Sequence, residues 1–313
     1  MISKIKRWLD FCNQKQLKEI DNRLYIVMVD GGLASQITKY YIGQFIKAHH
    51  SDAIIKYDVS WFDKYGVCVD GINPRNFDLI RMFPDIDFPI ATGDEIRLLK
   101  KHYCYKNPNV YGYNTQLERM DGPCYIDGYF SNWRYYLDST QLVIPETTWA
   151  NHVNQSKLSK INLASHSVAV HVRRGDFKTA IMGVLPEDYF VNAMQYVQKK
   201  LSDVKLNFFV FTNDVEWCKN NLSPKIPPSI NYTIMSQEKE SNAISDFCLM
   251  SKCHHQICSN SGFSYFSASF NQNSNKIVVI PDQWILNLGK GYKGIDLNQI
   301  NESLHPSYVQ IKV

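Results

Sequence analysis

No apolar run in the 313 residues approaches the ~20 that a membrane-spanning helix needs. No secretory signal is read ahead of the first strand-like run. The eight cysteines include no C-x-x-C pair, which excludes the dithiol redox motif and the paired-ligand zinc modules and fits free thiols in a reducing cytoplasm. Charge of one sign is also missing: 34 basic against 30 acidic residues leave +4 and a pI near 8.5. That balance suits anionic ligands or a membrane surface and is too mild to argue for nucleic acid. What is present is a globular composition, 44% hydrophobic and 20% charged, long enough for one large or two medium domains.

The chain opens with a helical stripe of Ile2, Ile5, Trp8 or Leu9 and Cys12 beside Lys4, Lys6 and Arg7. A basic amphipathic helix over 1–22 can lie on an anionic membrane; the same stripe also fits a helix packed on its own domain. Leu24 to Val29 reads as a buried strand that enters Asp30-Gly31-Gly32-Leu33-Ala34-Ser35-Gln36 and a helix to His49. Strand, glycine turn and helix begin a Rossmann-like unit, although this turn carries neither the G-x-G-x-x-G nor the P-loop pattern. Further strands are expected at Ala53 to Val59 and Cys124 to Phe130, with a short helix at Asp94 to His102. Asp85 and Asp87 sit among prolines and read as a surface turn rather than a metal-binding carboxylate pair. The polar stretch 151–166 reads as helix and linker, placing a boundary between domains at 23–155 and 156–290.

The second half centres on Ser167-Val-Ala-Val-His171-Val-Arg173-Arg174-Gly175-Asp176. Strand alternation puts His171 and Arg173 on one face and Arg174 on the other. Two arginines at a strand end fit either a fixed anion site or an internal salt bridge to Asp176. A helix is expected from Pro186 to Leu201. The strand Asn207 to Thr212 leads to Asn213-Asp214, a carboxylate suited to a purine edge or to capping the next helix. Cys248, Cys253, His254, His255 and Cys258 cluster in sequence, but their spacing fits no structural zinc pattern. Asn260-Ser261-Gly262-Phe263-Ser264 enters a helix whose start can accept a phosphate, and it does not match the serine-hydrolase elbow. A last strand is read at Lys276 to Ile280, and 291–313 as a C-terminal tail.

Several of these segments together resemble the inverting α-1,2-fucosyltransferases of glycosyltransferase family 11, mainly bacterial members. They are His171-x-Arg173-Arg174-Gly175-Asp176, the Gly31-Gly32-Leu33 turn with Gln36, Thr212-Asn213-Asp214-x-x-Trp217-Cys218, Asp246 to Ser251 and Asn260 to Phe266. Ala34 and Ser35 depart from the family's turn, and Asn213 stands where it has an acid. The resemblance implies an α/β, GT-B-like fold of two Rossmann-like domains facing a cleft. It also implies a GDP-β-L-fucose donor in the C-terminal domain and no divalent metal or other cofactor. The implied acceptor is a galactose-containing glycan of a surface polysaccharide or O-antigen, taken on O2 and carried on a lipid. The enzyme would then work in the cytoplasm, in peripheral contact with the inner membrane face.

On the same basis Arg173 stabilises the departing diphosphate, while Arg174 is expected to pair with Asp176. His171 and Asp214 contact guanine or ribose, and Ser261 to Ser264 bind the diphosphate. Gly31, Gly32 and Gln36 line the acceptor side, and Asp30 and Asp176 are the two candidate bases. The alternatives are a transferase using another GDP-sugar or linkage, and a nucleotide- or glycan-binding protein without turnover.

Overall fold

The computed structural model of the chain describes residues 20–65, 75–136, 142–237, 242–287 and 296–313. These divide into two compact units, 20–65 with 86–136 and 75–85 with everything described from 142 onward. The basic N-terminal stripe lies outside the described residues.

The first unit holds a four-stranded parallel sheet in the order β2-β1-β4-β3. Its strands are β1 (Leu24–Met28), β2 (Ile54–Asp58), β3 (Cys104–Lys106) and β4 (Cys124–Asp127). β1 is central, and its Leu-Tyr-Ile-Val run is buried throughout, as a strand covered on both faces requires. The helix α1 (Leu33–His49) follows the glycine turn and packs Ile37, Tyr41, Phe45 and Ile46 inward. A second helix, α2 (Gly93–His102), starts at a capping box: Thr92 accepts from the Glu95 amide while the Glu95 carboxylate accepts from the Thr92 amide. The edge strand β3 was not anticipated from the sequence.

The second unit carries six parallel strands in the order β10-β9-β8-β5-β6-β7. They are β5 (His166–Val172), β6 (Leu206–Thr212), β7 (Tyr232–Ile234), β8 (His255–Ile257), β9 (Val278–Pro281) and β10 (Val309–Ile311). Numbered from β5 as the first strand, this is the 3-2-1-4-5-6 order of dinucleotide-binding folds. Helix α3 (Glu187–Lys200) lays Tyr189, Phe190, Ala193, Met194 and Val197 on a core with Val168, Val170, Phe208 and Val210, a helical-period stripe meeting strand-period rows.

Helices Glu146–His152 and Gln155–Leu163 occupy the stretch expected to hold the linker, and both belong to the second unit. Residues 296–313, expected as a tail, supply a helix (Leu297–Ser303) and the edge strand β10. Two parallel α/β sheets give the GT-B-like class expected from the sequence.

The cysteine and histidine cluster serves the core. Cys248, Cys253 and Cys258 are buried, while Nδ1 of His254 and of His255 accept the amides of Ser167 and Ile277 at 3.1 and 3.0 Å. Among the described residues no helix is long and apolar enough to cross a membrane.

Candidate functional site

In an open parallel sheet, ligands bind beyond the carboxyl ends of the strands where the strand order reverses. In the second unit that point lies between β5 and β8. A 2.8 Å hydrogen bond between His171 Nδ1 on β5 and the Ser259 hydroxyl just after β8 spans it. His171 is buried beside Phe263, their ring centroids 5.5 Å apart. Burial, with the Arg173 charge adding to it, pushes its pKa down to about 3, so the imidazole is neutral at physiological pH.

Beyond β5 the chain turns through a 3₁₀ segment, Gly175–Lys178. The turn brings Asp176 under Arg173, whose Nη2 lies 2.7 Å from Asp176 Oδ1. The second oxygen of Asp176 takes Arg75 at 3.3 Å. The expected Arg174–Asp176 pair is therefore corrected. Arg174 leaves on the opposite face, where its guanidinium stacks on Trp217 at 3.8 Å and stands 3.5 Å from Asp214. A Cβ at Gly175 would displace the Asn213 side-chain amide, whose oxygen holds the Arg174 N–H at 2.8 Å.

Asp214 caps the next helix by accepting the Trp217 amide at 3.2 Å and pairs with Lys178 at 2.9 Å. Burial opposes its ionisation, but the hydrogen bonds from Lys178 and Trp217 outweigh that and hold the carboxyl below its usual range. The four cations Arg75, Arg173, Arg174 and Lys178 thus face the two carboxylates Asp176 and Asp214. Arg173, Arg174 and Lys178 come from one turn, at the sheet end where a diphosphate would arrive.

The Asn260 to Ser264 run divides between structure and ligand. Ser261 caps the helix α4 (Gly262–Ser269), accepting the Phe263 amide at 3.3 Å. The Ser264 hydroxyl was expected to face phosphate. It is buried and donates to the carbonyls of Ser259 and Ser261 instead. Asn260 spends its amide hydrogens on the carbonyls of Met182, Gly183 and Trp284, fixing the loop after the arginine turn. What remains toward the crevice is the start of α4 at Gly262 and Phe263, with its dipole.

The buried histidines of this unit set an acid limit. His255 is pushed down to about 4, by burial and then by His254 and His166; His171 is lower still. The unfolded chain binds protons near 6.5 where the fold does not, so stability is retained above 6.5 and lost as pH falls toward the folded values. Lowering pH from 7.5 to 5 is expected to cost about 2 kcal/mol for each fully buried histidine, read as a falling urea midpoint. His255→Gln should make that slope shallower. A midpoint flat over this range would show that these rings are not held neutral.

The first unit brings its predicted residues together at its own reversal point, between β1 and β4. Gly31 takes φ +71°, which favours glycine, and its carbonyl accepts from the Gln36 side-chain Nε2 at 2.9 Å. Gly32 is the N-cap of α1. Asp30 is buried, accepting the Ser35 hydroxyl at 3.0 Å and facing Lys39 at 3.6 Å. Sequence reasoning missed Lys39. It is 1% exposed, hydrogen-bonds the Gly128 carbonyl, and lies over the rings of Tyr129 and Phe130. Burial lowers its pKa, and Asp30 and Asp127 oppose that. Arg75 was also missed, because nothing in its own neighbourhood marks it.

A family model for glycosyl transferase family 11 matches residues 96–287. The α-1,2-colitosyltransferase of Escherichia coli is 25% identical over 273 residues, covering 83% of this chain and 92% of that protein. The O-antigen biosynthesis glycosyltransferase WbnK of the same organism is 25% identical over 301 residues, covering 86% and 97%. Human galactoside α-(1,2)-fucosyltransferase 1 is 24% identical over 159 residues, 46% of this chain and 42% of that one. Among solved structures, a mutant of Arabidopsis thaliana FUT1 in complex with GDP superposes with a TM-score of 0.45 at 14% identity, covering 85% of this chain and 73% of that one.

Proposed function

The chain belongs to glycosyl transferase family 11 and is a glycosyltransferase, and from that premise we propose that it moves L-fucose from GDP-β-L-fucose to O2 of a galactoside, with inversion. The observation that carries this reading is the gathering of Arg173, Arg174 and Lys178 just beyond β5, the first strand of the 3-2-1-4-5-6 sheet. A nucleoside diphosphate fits that place: the purine and ribose toward His171 and Asp214, the phosphates between Arg173 and the start of α4.

In this mechanism the acceptor hydroxyl attacks the anomeric carbon from the face opposite GDP as the bond to the β-phosphate oxygen breaks. The sugar passes through an oxocarbenium-like transition state, and negative charge gathers on the departing phosphate. Arg173, permanently charged and aimed from a strand end, stabilises that charge in the role a divalent metal plays elsewhere. The acceptor proton goes to a carboxylate, Asp30 or Asp176. Both already face cations, Lys39 and Arg173 respectively.

The acceptor is proposed to be a galactose-containing unit of an O-antigen or similar surface glycan on a lipid carrier, a reading supported by the name of the WbnK relative. The place of work would be the cytoplasmic face of the membrane. A second donor is favoured by a specific observation, since another relative is named for colitose.

The test is to incubate the purified chain with GDP-fucose or GDP-colitose and galactose-terminated acceptors, with EDTA present, and analyse the products. Fucosylation in EDTA is expected. Transfer only from GDP-colitose would move the donor assignment, and activity abolished by EDTA would sink the metal-free mechanism. Tight GDP binding without turnover on any acceptor would favour a binding protein.

A further inference from the structure

Arg75 reaches the donor site from an unexpected part of the chain. Residues 75–85 belong to the second unit and are anchored there. Leu79, Met82 and Phe83 are buried, the Thr148 hydroxyl donates to the Met82 carbonyl at 2.7 Å, and the Phe83 ring lies 5.7 Å from that of Phe270. Phe270 directly follows α4, the helix whose start faces the crevice. The arm thus delivers Arg75 to Oδ2 of Asp176 while Arg173 holds Oδ1.

One carboxylate with two guanidiniums has a chemical consequence. To bind phosphate fully, Arg173 must turn from Asp176 toward the ligand. With no second cation, that step would leave a part-buried carboxylate uncompensated beside an incoming dianion, and like charges at close range oppose binding.

From this arrangement, and resting on the GDP-sugar reading above, we propose that Arg75 is a positioning residue of the donor site. It keeps Asp176 neutralised so that Arg173 is released to the diphosphate. Arg75 would not touch the reacting atoms. Its contribution reaches the ligand through Asp176.

The test is calorimetric titration of GDP into the full chain and into Arg75→Ala, Arg75→Lys, Asp176→Asn and the Arg75→Ala/Asp176→Asn double variant. Wild-type protein is expected to bind GDP; if it does not, the donor reading itself falls. Arg75→Ala should weaken GDP binding about 10- to 100-fold, the range for losing a charge-assisted contact. Lysine should restore most of the loss, because a point charge suffices to neutralise a carboxylate. In the Asp176→Asn background, removing Arg75 should change affinity by less than about 3-fold, since there is no carboxylate left to neutralise. The proposal is overturned if Arg75→Ala binds GDP as wild type does. It also falls if the loss is equally large without the Asp176 charge, or if lysine restores nothing; either result would mark a direct phosphate contact or a purely structural role.

Discussion

Replacing Arg173 with alanine is expected to lower kcat for transfer from GDP-fucose by about a hundredfold to a thousandfold, with a much smaller change in KM. That is the scale of losing one preorganised donor aimed at charge that develops only in the transition state. The asymmetry between kcat and KM is the informative part. In the proposed placement the start of α4 shares the phosphates in the ground state, whereas the departing β-phosphate gains its charge late. Folding should be little affected, because Asp176 keeps Arg75 when Arg173 is removed. Arg173→Lys should fall between, keeping charge and losing the fork. Steady-state kinetics on both variants decide it. An alanine variant near wild-type activity would move the role to Arg174, which its stacking on Trp217 and its contact with Asp214 argue against.

The second large effect concerns stability. Lys39→Met is expected to destabilise the first unit by about 3–5 kcal/mol, the cost of breaking a buried charge pair from one side. The variant leaves Asp30 buried without the ammonium, keeping the Ser35 hydroxyl, and it removes a donor from the Gly128 carbonyl. Lys39→Met with Asp30→Asn should recover most of the loss, since replacing both partners removes the stranded charge. Urea unfolding of the three proteins reads this directly. A single variant as stable as wild type would show that the ammonium contributes no net stability.

The parts legible in the sequence were those governed by short-range pattern. The β-branched runs at Leu24 and Val168 announce strands buried on both faces, and the glycine turn after β1 needs φ > 0 at Gly31. Alternation alone separated Arg173 from Arg174. Which arginine meets Asp176 was not legible, because the 3₁₀ turn after Arg174 settles it and its sequence fits several turns. Strand β3 is three residues with exposed ends at a sheet edge, too short and too polar for periodicity to register. Lys39 reads as a solvated helix position until the carbonyl and carboxylate around it are placed. Arg75 lies 101 residues from its partner, and no local rule spans that distance.

The arm that carries Arg75 also bears on how the chain is made. During synthesis it leaves the ribosome sixty-six residues before the threonine that fixes it, and a hundred and one before the aspartate it serves. Neither unit is a continuous stretch of sequence, so Leu79, Met82 and Phe83 emerge ahead of the rest of the unit that buries them. Such long-range closure slows folding and lengthens the exposure of sticky surface. A cut at Leu142 would leave the arm and its arginine on one piece, and their cover and Asp176 on the other. The contacts of Arg75 and its arm therefore wait for the second half of the chain.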